Sequence, residues 1–292
     1  MQEQMIQRAK ELLAQGDVRR VLGWKKGDFP QNPEPAFFTT EQELNELVYD
    51  RFCAANLSGY MANVNNQDGK TLVFLKPCDT YSFNQLVKEN RVSREKAFII
   101  GVGCEGNVIV EEMEEAGLLE RCRVCQKTEH KVFDELIGAD IKTREGKDRF
   151  EEVAALEKMP PDERFTFWQG QLSRCIRCNA CRNACPVCNC KKCVFDSSKY
   201  DTEQKANVTT FEEQMFHLVR AYHVAGRCSD CGECSRVCPE DIQLHLLNRK
   251  LIRDINELYG EFQAGEDAET PGPLTDYNAD TDADPSVVYE RG

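Results

Sequence analysis

Apolar and polar positions along the first half of the chain follow two different rhythms. From Glu3 to Gln15 the residues Ile6, Ala9, Leu12 and Leu13 recur at helical spacing on one side, and Gly16 stops the element. Asp28 to Pro35 is a loop rich in Pro and Asn. Thr40 followed by Glu43 is a capping-box pattern, which predicts a second helix to about Ala55 that buries Leu44, Leu47, Val48 and Phe52. After a turn at Asn66 to Gly69, Thr71 to Leu75 (TLVFL) and Ala97 to Val102 (AFIIGV) are short unbroken apolar runs. Such runs predict strands buried on both faces of an α/β sheet, with a helix from about Ser82 to Asn90 between them. Helical patterning resumes from Val108 to Leu119.

The second half is punctuated differently. A charged linker around Arg144 to Pro161 ends in Pro-Pro, and Pro161 suits the first turn of a helix carrying Phe165, Phe167 and Trp168. Thr210 with Glu213 predicts the start of a helix over Phe211 to Ala225, with Phe211, Met215, Leu218, Val219 and Tyr222 facing inwards and Gly226 closing it. A last helix after Pro239 presents Leu247, Leu251, Ile255 and Leu258. The expected organisation is an α/β N-terminal domain with a small sheet (1–150), a linker helix (151–172), a mainly helical domain (173–262) and an acidic tail (263–292). From Gly265 onwards the tail holds eight acidic residues, three Pro and the single basic Arg291, a composition of a flexible or partner-ordered segment.

Composition changes this picture through its 16 cysteines in 292 residues. The polar start, MQEQMIQRAKELLAQG, has no apolar signal-peptide core, and no run approaches the roughly 20 apolar residues of a membrane span. A cytoplasmic, reducing setting is expected, with membrane attachment only through a partner, so the cysteines read as metal ligands rather than disulfides. The formal net charge of −13 weighs against nucleic acid as a partner.

The cysteines carry the strongest signal. Cys175, Cys178, Cys181, Cys185 and Pro186 spell C-x2-C-x2-C-x3-C-P, and Cys228, Cys231, Cys234, Cys238 and Pro239 repeat it. This is the two-cluster ferredoxin spacing, in which the fourth Cys of each run ligates the other cluster. Cys175, Cys178, Cys181 and Cys238 are therefore expected to hold one 4Fe-4S cluster, and Cys228, Cys231, Cys234 and Cys185 a second. Structural zinc sites favour two close ligand pairs over a triplet with a remote fourth. Ligands in open α/β sheets gather at the carboxyl ends of strands, where Cys78 and Cys104 follow the two apolar runs. With Cys122 and Cys125 they make up a candidate third set; as residues alone, Cys78 and Cys104 are equally readable as small buried thiols. Cys188, Cys190 and Cys193, like Cys53, stay unassigned between metal ligands and packed thiols.

Other patterns are weaker. Gly101 to Gly106 matches G-x-G-x-x-G, but a Cys interrupts the loop, a Cys-rich segment follows, and no acidic strand end appears, so a dinucleotide site is not the preferred reading. Of the four His, at 130, 217, 223 and 245, the two on the Phe211–Ala225 helix read as hydrogen-bonded structural residues rather than ligands. No hydrolytic triad and no phosphate-binding P-loop is present. Arg177, Arg182 and Arg236 flank the ligands and suit either tuning of the clusters or a solvated, partner-facing role.

The stretches KPCD (Lys76–Asp79), IIGVGC (Ile99–Cys104) and CRVCQKTEHKVFDELIGADI (Cys122–Ile141) resemble the core of the coenzyme F-420 hydrogenase/dehydrogenase β-subunit family. The Cys-rich second half is similar to the ferredoxin region of formate dehydrogenase β subunits in that family. The resemblance implies a core-domain 4Fe-4S cluster, and so favours Cys78, Cys104, Cys122 and Cys125 as its ligands. It also implies FAD, a deazaflavin and a catalytic partner subunit. The glycine-rich flavin-binding segment of the family is not evident in QGDVRRVLGWKKGDFP, so FAD stays an open expectation beside a shortened, flavin-free relay. The expected function is that of an iron–sulfur electron-transfer subunit serving the larger redox subunits of a multi-subunit complex, of formate dehydrogenase, hydrogenase or heterodisulfide-reductase type. The alternative is a flavin-containing oxidoreductase subunit acting on a deazaflavin or nicotinamide.

Overall fold

A computed structural model of the chain describes residues 1–111, 114–138, 147–196 and 210–275. The acidic tail beyond Thr275 and part of the expected linker, 144–146, lie outside the described residues. The chain divides into two compact units, Met1–Asp148 with Gly265–Ala268, and Arg149–Ala264 with Glu269 onwards.

In the first unit, helix α1 (Gln2–Gln15) buries Met5, Ala9 and Leu12 and ends at Gly16, whose φ of 79° lets its N–H reach the last carbonyls. Strands β1 (Arg20–Lys25) and β2 (Glu34–Phe38) pair antiparallel, and β3 (Leu47–Val48) adds to β1. Helix α2 (Ser58–Val64) leads to β4 (Thr71–Leu75), which lies parallel to β1. Helix α3 (Pro77–Lys88) then crosses to β5 (Ala97–Val102), parallel to β4 from Thr71↔Ala97 to Leu75↔Gly101. A hairpin, β6 (Val108–Glu111) with β7 (Glu114–Leu118), and a single turn α4 (Glu120–Arg123) precede β8 (Glu135–Ile137), which extends the sheet beside β5. The sheet runs β2-β1-β4-β5-β8, and Leu72 to Leu75 with Ile99, Ile100 and Val102 are wholly buried at its centre.

Three expectations for this unit are corrected. The Thr40 cap forms, with Glu43 N–H donating to Thr40 Oγ1 at 3.3 Å and Thr40 N–H to Glu43 Oε2 at 3.3 Å, yet the helix ends after one 3-10 turn, Glu43–Glu46. Leu47 and Val48 instead take ladder positions opposite Lys25 and Trp24. The predicted helix over Val108–Leu119 is the β6–β7 hairpin, since β-branched Val108, Ile109 and Val110 favour a strand and Gly117 sits at φ 114°, which no helix accommodates. Helix α3 starts at Pro77 rather than Ser82: Pro occupies its first position, and Asp79 accepts the Lys76 N–H across the N-terminus. Cys78 consequently sits in the first turn of a helix.

In the second unit the expected linker helix is two, α5 (Glu151–Glu157) and α6 (Pro161–Leu172). Pro160 is extended and Pro161 lacks an N–H, so the helix cannot run through them. The short α7 (Ala180–Asn183) and α9 (Glu233–Arg236) lie within the two Cys runs, just before their fourth cysteines, and pack on each other. Helices α8 (Thr210–His223) and α10 (Leu244–Tyr259) complete the unit. Helix α10 buries Leu244, His245, Asn248, Arg249, Ile252 and Ile255, so of the four residues expected to face inwards only Ile255 is fully enclosed.

Helix α8 is turned over relative to expectation. Phe211, Met215, Leu218 and Tyr222 are exposed, whereas Glu213, Phe216, His217, Arg220, Ala221 and Val224 are buried. Hydrophobicity alone would turn the other face inwards. The interior that α8 covers is lined by cysteine sulfur, which makes charged and polar side chains the complementary ones.

Candidate metal centres

The two Cys runs fold as structural repeats. Arg177 (φ 54°) and Asn179 (φ 62°) bracket Cys178, just as Asp230 (φ 55°) and Gly232 (φ 67°) bracket Cys231. Two left-handed residues per loop turn the backbone sharply on either side of the middle cysteine of each triplet. Both loops end alike: Cys185 N–H donates to Arg182 O and Cys238 N–H to Ser235 O.

The fourth cysteine of each run stands beside cysteines of the other run. Cys238 lines one pocket together with Cys175, Cys178 and Cys181, closed by Phe216, His217, Ile242 and Leu244. Cys185 interacts electrostatically with Cys228 and Cys234, and Cys231 with Cys185. Burial pushes the Cys175, Cys185 and Cys228 thiols up to about 12 and Cys181 to about 11, so binding a metal must displace protons from them. N–H groups already aim at sulfur: Arg177 N–H donates to Cys175 Sγ at 3.4 Å, and Asn248 Nδ2 donates to Cys234 Sγ at 3.5 Å.

The third set gathers at the carboxyl ends of β4 and β5. Cys78 interacts electrostatically with Cys125, Cys104 with Cys122, and Cys125 with Cys122. Gly106 N–H donates to Cys104 Sγ at 3.4 Å and Asn107 N–H to Cys122 Sγ at 3.3 Å. Beneath them lies Lys76, 1% exposed, its Nζ 3.0 Å from Asp79 Oδ2 and donating to the carbonyls of Cys53 (3.1 Å) and Ala55 (2.9 Å). The ammonium stands 4.4 Å from the Trp24 ring centroid. Burial pushes its pKa down, but Asp79 and the Cys78 and Cys104 sulfurs outweigh that and hold it above the ordinary value. His130 Nε2 lies 3.2 Å from both Leu75 O and Val102 O, tying together the strand ends that deliver Cys78 and Cys104.

Sequence reading missed Lys76 and His130 as supports of this site. The signal available for Lys76 is its place between a buried strand and a Pro-Cys-Asp helix start. Gly101 to Gly106 leads into a hairpin strand rather than a helix, which removes the dinucleotide reading. A Cβ at Gly101 would stand 2.6 Å from Leu136 Cδ2 and 2.7 Å from His130 Cδ2, so close packing accounts for that glycine. Cys53 is fully buried, its thiol pushed up to about 12 by burial and engaged by Asp50 and Val48. Cys188 interacts electrostatically with Cys193 and Cys190.

The three flanking arginines are paired. Arg177 contacts Glu213 at 3.5 Å and stacks 4.3 Å from the Phe216 ring, Arg182 pairs with Asp196 at 2.7 Å, and Arg236 with Glu233 at 2.8 Å. His245 has Ser235 Oγ 2.9 Å from its Nδ1, whereas the hydrogen-bonded role expected of His217 is not met. Burial, then the charges of Arg220 and Arg177, push the His217 pKa down to about 3, and neither ring nitrogen has a hydrogen-bond partner among the described residues. The same holds for all three guanidinium nitrogens of Arg220. Buried polar groups without partners are rare in native folds. Cysteine donors in an interior that also holds buried, unpartnered His217 and Arg220 nitrogens fit anionic iron–sulfur clusters.

The profile of the 4Fe-4S dicluster domain matches residues 171–242. The chain is 22% identical to the F420-dependent formate dehydrogenase subunit beta of Methanocaldococcus jannaschii, over 86% of this chain and 88% of that protein. It is 24% identical to the F420-dependent formate dehydrogenase 1 subunit beta of Methanococcus maripaludis, over 91% of both. Among solved structures, a xenon-derivatised F420-reducing NiFe hydrogenase complex from Methanosarcina barkeri is similar at 15% identity over 36% of this chain and 38% of that one, with a TM-score of 0.30. That last likeness is too slight to carry argument. The sequence matches bear out the resemblance to the β-subunit family, and a 4Fe-4S dicluster domain lies at residues 171–242, within the second unit. No helix among the described residues is long and apolar enough to cross a membrane.

Proposed function

We propose that this chain is the electron-transfer subunit of a larger redox complex of the formate dehydrogenase or hydrogenase type, carrying three 4Fe-4S clusters. The observation that carries this reading is the exchange of cysteines, with Cys238 of the second run lining the pocket of Cys175, Cys178 and Cys181. Cys175, Cys178, Cys181 and Cys238 hold one cluster in this reading, Cys228, Cys231, Cys234 and Cys185 the second, and Cys78, Cys104, Cys122 and Cys125 the third. The clusters, when bound, supply one-electron transfer at potentials set by burial and by hydrogen bonds to sulfur. The chain's own part is to supply those bonds and keep water out: amides of Gly106, Asn107 and Arg177 donate to ligand sulfur, and Phe216, Ile242 and Leu244 seal the pocket that Cys238 completes. A cytoplasmic location and larger redox subunits as partners belong to the same reading.

The names of the relatives, which carry F420 dependence, favour a second reading, in which the chain reacts with the deazaflavin itself; FAD enters that reading only through the family resemblance. Anaerobically reconstituted protein separates the two. The relay reading expects no flavin bound after incubation with FAD and desalting, and no deazaflavin-dependent dye reduction. Stoichiometric FAD with dye reduction would overturn it in favour of the flavin enzyme.

A further inference from the structure

Helix α8 points a cation at the cysteines of both ferredoxin runs. Arg220 is 2% exposed, and none of its guanidinium nitrogens finds a hydrogen-bond partner among the described residues. It lies one turn after Phe216 and His217, two residues that close the pocket of Cys175, Cys178, Cys181 and Cys238. An arginine cannot shed its charge to ease burial, so five N–H donors in a closed interior require anionic acceptors. Carboxylates do not serve: the buried Glu213 on the same helix faces Arg177, at 3.5 Å. The groups that bear on Arg220 are the sulfurs of Cys234, Cys181, Cys185 and Cys188, which become anionic once a metal displaces their protons. Cys181 belongs to one proposed ligand set, Cys185 and Cys234 to the other.

We infer that Arg220 is the positioning residue of the dicluster domain, a fixed cation between the two ligand sets that donates hydrogen bonds to cluster or thiolate sulfur and raises the reduction potentials of both clusters together. A positive charge stabilises the reduced, more negative state of each cluster, and N–H donors to sulfur act in the same direction. The inference rests on the proposed relay, because it needs clusters in those two sites. It also accounts for the inverted packing of α8: the face that meets the clusters must carry the charge, which leaves Phe211, Met215, Leu218 and Tyr222 outside.

The test compares wild type, Arg220→Gln and Arg220→Lys, each reconstituted anaerobically, by iron content and by EPR-monitored redox titration. Arg220→Gln is expected to keep wild-type iron while its ferredoxin clusters become harder to reduce, about tenfold in the one-electron equilibrium or 59 mV for at least one of them. Arg220→Lys, which keeps charge but loses the planar fork, is expected to shift less. A second readout reverses sign without metal: in urea unfolding of the apo-proteins Arg220→Gln is expected to be the more stable, because it removes an unpaired buried charge. Full iron with unshifted potentials in Arg220→Gln would overturn the inference. So would a chain that loads no clusters as Gln but loads both at wild-type potentials as Lys, since the role would then be structural. Failure of the wild type itself to show two ferredoxin-type signals would sink the relay reading, a result distinguishable from either.

Discussion

Cys238→Ser is expected to remove the cluster whose other three ligands belong to the other cysteine run, and to leave the cluster of its own run in place. Iron should fall by about four atoms per chain, because one cubane lost accounts for four. The EPR signal that survives should be lost instead in Cys185→Ser. Cys238 lines the pocket of Cys175, Cys178 and Cys181, whereas Cys185 interacts electrostatically with Cys228 and Cys234. The short α7 and α9 helices lie just before the fourth cysteines, and their packing on one another delivers each fourth sulfur across to the neighbouring loop. If Cys238→Ser silenced the same signal as Cys228→Ser, each run would be holding its own cluster and the exchange would be wrong.

Lys76→Met is the second large effect. Lys76 and Asp79 are an ion pair at 3.0 Å with side chains 1% and 2% exposed, and the ammonium also satisfies the carbonyls of Cys53 and Ala55. Removing one partner of a buried pair leaves the other charge stranded, which costs about 3–5 kcal/mol. Anaerobic urea unfolding followed by circular dichroism should show that loss. The double change Lys76→Met with Asp79→Asn should recover most of it, because no charge is then left alone. A single variant as stable as wild type would mean that Lys76 does not hold the helix start that carries Cys78.

The cysteine motifs and the two central strands are legible in the sequence because a single strong local pattern sets each of them. Thr71 to Leu75 and Ala97 to Val102 are strands over those same residues, since unbroken apolar runs of that length fit only a sheet covered on both faces. The elements that depart from expectation are those where a local signal competes with a distant partner. At Thr40 the capping box is real, yet a cap contributes only about 1 kcal/mol, and pairing of Leu47 and Val48 with β1 redirects the chain. On α8 the hydrophobic stripe exists but faces outwards, because the pattern does not reveal that the interior it meets holds Cys181 and Cys234 beside Leu172, Ile242 and Leu244. The same blindness hides Arg220. Arginines next to cysteines in the chain stand out, whereas the one that approaches from another helix carries no motif. Lys76 is visible only as part of KPCD, and its burial under Cys78 and Cys104 depends on contacts from Trp24, Cys53 and Ala55 that lie far from it in sequence.

A three-cluster relay would hold two clusters with exchanged ligands and one at the strand ends of the α/β unit. The most direct measurement is metal and acid-labile sulfide per chain, with Mössbauer spectra, on protein purified anaerobically. The account predicts about twelve iron and twelve sulfide atoms with spectra of 4Fe-4S centres alone. About eight iron atoms that persist unchanged in Cys104→Ser would contradict the third site, and zinc in place of iron would contradict the whole.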